Sequence, residues 1–428
     1  MDFETLELPS DWQIKPLREA YNFTKKPRGL ALNGDGRVPF LPMDPIPIGR
    51  LFVTESEARL VSSIGSGTYV ENGDLLIAKI TPSFENGKQA IVDWARPFGF
   101  ATTEVIPIQE KAGISNKFFL FHLLLHPAIR AHLAGKMDGT TGRQRLSKEV
   151  LGSYLIPLPP IDEQRKIAAV LGLVQRAIEE QQQLIEVTTE LKKALLHKLF
   201  TEGLRGEAQK QTEIGPVPES WEVAPLGKLA SKPFGCIQTG PFGSQLHKHE
   251  YRTDGIPVIN PTHLAGNKIN HEDLPRVSLE VFDRLSRHQL RTGDILFARR
   301  GEIGRHGLVS EAESGWLCGT GCFVVRVNRS DIDNRFLSYF FSAKHAVAWL
   351  EANAAGAIMP NLSNAVLQRV PVYRPRIEEQ ESIADALDAI ENRIAEVVKK
   401  RILLTDLFRA LLHHLMTAQI RVINLPSL

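Results

Sequence analysis

The chain has 428 residues, 43% hydrophobic and 23% charged, with a formal net charge of +2. That length makes two or three ordinary globular domains, and the near-neutral balance neither demands nor excludes nucleic acid, so any basic surface must be local. Three cysteines (Cys236, Cys318, Cys322) argue against a disulfide framework and for a reducing compartment, and no run approaches eighteen apolar residues, so no membrane-spanning helix is expected.

The acidic start, Met1-Asp2-Phe3-Glu4, lacks the basic-then-apolar order of a signal peptide, and a cytoplasmic chain is expected. Residues 1–160 read as one mixed α/β module, opened by Trp12. Asn72-Gly73-Asp74 is a turn, and the apolar run at 75–80 predicts a buried strand. Residues 81–88 are a polar loop, and 90–92 and 103–106 are further strands. Asn116 enters a helix running to about Leu133. The glycine- and threonine-rich stretch 139–145 predicts a loop, followed by Leu146-Ser147 and a last strand near 154–156.

Ile161-Asp162-Glu163-Gln164 then opens a long helix, 161–201, that closes on Leu195-Leu196-His197 and Thr201. Residues 202–219, with three glycines and two prolines, read as a linker. A second module, 220–376, repeats the script: Trp221 matches Trp12, Gly293-Asp294 matches Gly73-Asp74, and Asn334 matches Asn116. The second long helix, 377–417, opens on Ile377-Glu378-Glu379-Gln380, 216 positions after the first, and closes on Leu411-Leu412-His413 at the same offset. Residues 418–428 are a tail.

The second helix spaces Ile383, Leu387, Ile390, Ile394, Val397, Arg401, Leu404, Phe408, Leu411 and Leu415 in alternating steps of four and three, a heptad seam with one charged interruption. The first keeps Ile167, Leu171, Val174, Ile178, Ile185, Leu195 and Leu199, and Gln181, Thr188 and Lys192 weaken it. Prolines stand just before both runs and none inside. A helix of nearly forty residues with one apolar seam needs a partner, and the other copy is the simplest, paired antiparallel. The fold class is therefore α+β: two mixed modules joined by two long helices in an antiparallel coiled coil, duplicated about a pseudo-twofold.

No catalytic constellation stands out. Gly87-Lys88 is no phosphate loop, because Pro82 and Gln89 occupy the wrong positions. Asn260-Pro261-Thr262-His263 superficially resembles an amino-methyltransferase motif but reads as a turn. Cys318 and Cys322 lack the second pair that zinc would need. The loops say more. Amides, hydroxyls and glycines crowd residues 238–248, and Arg284, Arg287, Arg291, Arg299, Arg300 and Arg305 fall within about twenty residues. Such groups donate to phosphates and pair with base edges.

The paired helix motifs at Ile161 and Ile377 carry a resemblance. So do the segment 212–221 that opens the second half and the two unlike loops, 78–88 and 238–246. Over nearly its whole length the chain resembles the specificity subunits of type I restriction–modification systems. The resemblance implies two target-recognition domains, each reading one half of an asymmetric bipartite site in double-stranded DNA. It implies that the helices set the half-site spacing and dock two adenine-N6 methyltransferase subunits, joined by restriction–translocase subunits. It also implies that the chain catalyses nothing and holds no metal or cofactor, with S-adenosylmethionine, ATP and magnesium in the partner subunits. Loop chemistry nominates Lys79, Thr81, Lys88, Arg143, Gln144 and Arg145 in the first module for DNA contact. In the second it nominates Gln238, Thr239, Ser244, Gln245, Lys248, Arg299, Arg300 and Arg305. Two alternatives stay open: the specificity part of a nuclease-free methylation system, and a coiled-coil adaptor between protein-binding modules.

Overall fold

Two uninterrupted helices, Ile161–Glu202 and Ile377–Met416, occupy the duplicated segments. The computed structural model describes residues 8–30, 36–140, 142–231, 233, 235–354 and 361–424. The chain divides into two compact units, residues 1–185 with 397–428 and residues 186–396, so each unit holds part of each long helix.

The seam accounts for the helices. Ile383, Leu387, Val397 and Leu415 are buried, and no seam position of the second helix is exposed, including Arg401. Within the first unit, Arg401 Nη1 donates to Gln182 Oε1 at 2.5 Å, while Arg421, beyond the helix end, reaches back to Glu163 at 2.7 Å. Within the second unit, Lys192 pairs with Glu391, and Leu204 N–H donates to Glu379 Oε1 at 3.2 Å. In each unit one chain ascends while the other descends, so the pairing is antiparallel. Two of the polar interruptions, Lys192 and Arg401, are thereby matched to partners on the facing helix. A charge in a seam that is paired specifies register, whereas an unpaired one would only cost stability.

The first unit centres on a sheet in the order Tyr21–Phe23, Val105–Glu110, Leu75–Ala78, Gln89–Val92, Phe52–Val53. Alternation along the central strand explains its continuous apolar run. Leu75 and Ile77 face the helices, and Leu76 faces a second core shared with Val70, Ala90 and Ala101. A strand covered on both sides needs apolar residues at every position. The helix expected to run from Asn116 to Leu133 is two helices, Lys117–Leu123 and Pro127–Ala134. Proline cannot continue a helix but is suited to starting one, and the His126 ring caps the new start by accepting the Ala128 N–H at 3.3 Å. The stretch expected as a loop at 139–145 is a hairpin, Asp138–Thr140 against Arg143–Arg145, and Thr141 at its tip lies outside the described residues. Gly139 is required there: its φ is +135°, and a Cβ would sit 2.5 Å from the Arg143 carbonyl oxygen.

The second unit repeats the scaffold with a sheet ordered Cys236–Thr239, Cys322–Arg326, Ile295–Ala298, His306–Leu308. Again Ile295 and Phe297 face the helices while Leu296 faces another core. Residues expected as a linker hold a hairpin, Gln209–Thr212 with Gly215–Pro218, whose Ile214 and Val217 enter the main core. Trp349 Nε1 donates to Glu213 at 2.8 Å and the Tyr373 hydroxyl donates to the Ile214 carbonyl at 3.2 Å, fastening that hairpin down. Asn260-Pro261-Thr262-His263 is a capped turn of 3-10 helix, with the Asn260 N–H donating to His263 Nδ1 at 3.0 Å. The sequence sets residues 353–361 where the first module has its glycine- and threonine-rich stretch, and 355–360 of them lie outside the described residues.

One glutamine in each unit anchors the long helix to its module. Gln164 is fully buried; its Oε1 accepts the Asn116 N–H at 2.9 Å, and its Nε2 donates to Ile114 and Pro159 carbonyls at 3.0 and 2.8 Å. Gln380 does the same with the Asp333 N–H at 2.8 Å and the Asp331 and Pro375 carbonyls at 3.3 and 2.9 Å. The counterpart of Asn116 is thus Asp333, not Asn334 as the sequence match had it: Asp333 is the cap of the helix Asn334–Ser342.

Two predictions follow from this packing. Gln164→Leu takes the partner from the part-buried Asn116 N–H and from two carbonyls, of which that of Pro159 is buried, at about 1–3 kcal/mol for a buried orphan. We expect the first unit to lose about 2–4 kcal/mol, read as reduced hydrogen-exchange protection at residues 119–124 while residues 336–341 keep theirs. In the second unit, burial pushes the His345 imidazole pKa down to about 4, and its Nε2 has no partner among the described residues. The unfolded chain takes up that proton first, near pH 6.5, so stability is lost as pH falls from 6.5 toward 4, by at most about 3 kcal/mol. His345→Phe should flatten the dependence of second-unit protection between pH 6.5 and 5; an unchanged slope would assign it to other groups.

Candidate nucleic-acid interface

In both units several of the residues nominated for nucleic-acid contact gather where the central strand ends. In the first unit, Leu75–Ala78 runs out into residues 79–88, and the hairpin 138–145 closes over that exit. The Leu146 N–H donates to the Lys79 carbonyl at 2.7 Å, the Thr81 N–H to the Gln144 carbonyl at 3.1 Å, and Ile80 bridges to Arg145. Lys79, Thr81, Gln144 and Arg145 therefore share one surface, with Arg143 exposed on the same hairpin.

The equivalent exit in the second unit follows Ile295–Ala298. Here the Leu362 N–H donates to the Arg299 carbonyl at 2.9 Å, and Arg300 bridges to Asn361, repeating the first unit's pattern with different side chains. Thr239 lies at the same sheet end, because it pairs with Phe323 and the adjoining Cys322 pairs with Ala298. The Ala298 N–H donates to the Arg305 carbonyl at 2.9 Å, so Arg305 returns to the same edge. Two unlike loop sets thus stand on one repeated strand end, the arrangement expected when a rigid scaffold presents variable recognition loops.

The side chains differ in how free they are. Arg145 forks onto Glu104, with Nε to Oε2 at 3.0 Å and Nη2 to Oε1 at 2.9 Å, and the guanidinium holds that carboxyl below its usual range. Lys88 spends its ammonium on the Met43 and Asp44 carbonyls at 3.1 and 3.3 Å. Gln238 Nε2 donates to the Arg287 carbonyl at 2.9 Å and touches His288 Nδ1 at 3.1 Å. The Gln245 side chain accepts the Phe242 N–H at 3.0 Å, a local turn bond. Arg143, Ser244, Lys248 and Arg300 are exposed with no side-chain partner among the described residues, whereas Arg305 Nε is buried without one. Ser244, Gln245 and Lys248 lie farther along their loop, beside the Glu250–Arg284 ion pair, and no described contact joins them to Arg299 or Arg300.

The sequence reading missed two features. Glu104, which orients Arg145, lies 41 residues from it, and nothing local marks the pair. The run Lys25-Lys26-Pro27-Arg28 was visible as charge, and in the structure Lys25 and Lys26 line a cleft of about 570 Å³ with residues 64–69, Phe100 and Lys148. No group of three or more His, Cys, Asp or Glu side chains converges among the described residues in a way that would hold a metal ion. Among the described residues, no helix is long and apolar enough to cross a membrane.

Comparison with known proteins agrees with this duplicated architecture. The chain is 24% identical to the type I restriction enzyme MjaVIII specificity subunit of Methanocaldococcus jannaschii, over 98% of this chain and 95% of that relative. Its fold is similar to that of a type I restriction–modification S subunit from M. genitalium, with a TM-score of 0.60 at 15% identity over 96% of this chain and 98% of that one. A chain solved in work on complex assembly and conformational transition of the type I R-M system gives 0.55 at 20% identity, over 97% of this chain and all of that one. The profile described as the type I restriction modification DNA specificity domain matches twice, at residues 9–189 and 218–404, each match covering one module and most of the helix that follows it. The chain belongs to the family of type I restriction–modification DNA specificity domains.

Proposed function

We propose that this chain is the DNA-specificity subunit of a type I restriction–modification complex, each unit reading one half of a bipartite, asymmetric site in double-stranded DNA. The observation that carries the reading is the pair of loop clusters at equivalent strand ends, built on one scaffold from different side chains. Different loops imply different half-sites. Guanidinium and amide forks discriminate bases at about 1–3 kcal/mol per good bidentate pair, and lysines supply the affinity for phosphate. The chain recognises and does not catalyse. Methylation of adenine N6 and ATP-dependent cleavage belong to two methyltransferase subunits and to restriction–translocase subunits, with S-adenosylmethionine, ATP and magnesium held there. Exposed apolar side chains off the seam, Val187 and Leu191 on the first helix and Ile402, Leu403 and Leu407 on the second, suit docking of such subunits. This role places the chain in the cytoplasm, with the DNA.

The helices act as the spacer. A helix of 42 residues spans about 60 Å at 1.5 Å per residue. Whether a nuclease subunit is present is decided by the partners that co-purify with the chain.

The reading is tested by mapping N6-methyladenine across the host genome with the gene intact and deleted. Loss of a single bipartite, asymmetric motif is the expected result, and an unchanged map with an active methyltransferase present refutes it. Inserting one heptad at the same level of both helices adds about 10 Å of helix; the methylated motif should keep both half-sites while its spacer grows by up to about three base pairs. Arg299→Ala with Arg300→Ala should weaken DNA binding by the assembled complex and lower the slope of log affinity against log salt by about 1–2. Unchanged binding across salt concentrations would assign both arginines to the solvated surface.

A further inference from the structure

The cleft beside the first unit's recognition loops is separate from the residues nominated above, and its chemistry is one-sided. Lys25, Lys26 and Lys148 are exposed on its walls, and no carboxylate among the described residues pairs with any of them. It is also lined by the turn Ile64-Gly65-Ser66-Gly67-Thr68, which carries two hydroxyls. The Gly65 and Ser66 amides donate to no described acceptor. Nothing lies within 4 Å of where a Cβ on Gly65 would sit, so a ligand atom can approach that backbone closely. Lys26 Nζ stands 5.5 Å from the Phe100 ring centroid, which holds its ammonium at the cleft rather than loose in solvent.

We propose that this cleft binds a phosphate of the DNA backbone flanking the half-site read by the first unit. The inference rests on the DNA-specificity reading and goes beyond it by separating an anchoring site from the base-reading loops. Three ammonium groups, hydroxyls and free backbone amides suit a phosphate. Bases are discriminated best by the planar fork of arginine or an amide, and this lining has neither, so its three point charges favour a phosphate. The position fits as well: Lys148 lies two residues past Leu146, whose N–H is bonded to Lys79, so the cleft borders the hairpin that carries Arg143 and Arg145.

The test uses the complex assembled with its methyltransferase subunits and a variant with Lys25→Ala, Lys26→Ala and Lys148→Ala. Binding to a cognate and a non-cognate duplex is measured across salt concentrations. We expect both affinities to fall by the same factor, the salt slope to shrink by about 1–3, and the methylated motif to stay the same. Lys→Arg at all three positions should restore binding, which separates loss of charge from misfolding. If the parent complex discriminates sequence but the alanine variant matches it in affinity and slope, the cleft proposal falls and the specificity reading stands. If the parent complex does not discriminate sequence, both fall. Calorimetry with adenosine monophosphate supplies the remaining arm: binding to the parent but not the variant, with DNA affinity unchanged, would make this a site for a free phosphate and overturn the proposal.

Discussion

The fold depends on a side-chain amide buried at the start of each long helix. Gln164 and Gln380 each join three segments: the proline-rich entry to the helix, a module loop, and the cap of the module's own helix. Only an amide supplies an acceptor and two donors at once; a carboxylate would have no donors and an aliphatic chain neither. Because the helix extends about 60 Å from that point, an angular error of about 5° at its base would move its far end by about 5 Å. Fixing the base with three directional bonds is therefore worth more to the geometry than the same bonds placed mid-helix.

Around that anchor, buried scaffold and exposed loop side chains are kept apart. Central strands are buried on both faces and carry no polar side chain between Leu75 and Ala78 or between Ile295 and Ala298. The residues that face outward begin one position later, at Lys79 and Arg299. Changing the exposed side chains of these loops therefore leaves both cores untouched, whereas Phe84 and Ile303, within the same loops, belong to the cores themselves. Within the first loop set, Glu104 orients Arg145. It occupies Nε and Nη2 and fixes the guanidinium plane.

The helices were legible because their information is local: a period of 3.5, prolines before the start, and one motif repeated at a fixed offset. The strand at Leu75 was legible for the same reason. What escaped depends on distance in sequence. The Gly-Thr-Thr-Gly composition fits a loop and a hairpin equally, and the choice was made by the Thr81 and Lys79 backbone groups some sixty residues away. Lys88 read as a free cation, but the carbonyls that hold it belong to Met43 and Asp44. The presumed linker carried Ile214 and Val217, whose apolar character was outweighed in the sequence by surrounding glycines and prolines. The one-residue slip at Asn334 arose because asparagine and aspartate cap a helix equally well and here stand side by side.

The way the two helices are shared has a consequence for synthesis. The second unit is built from residues 186–396, and its core, from Leu199 to Leu387, is complete before the last stretch of the second helix is translated. The first unit is begun earlier but needs Leu412, Leu415 and Met416 to close its own core. On the ribosome the order of completion therefore reverses the order of the sequence. The first module must wait, with one side of its core open, through the translation of about 240 residues between Leu171 and Leu412. At about 5–20 residues per second that is an interval of some tens of seconds. The nascent chain is thus a period of exposed apolar surface that the finished protein does not show.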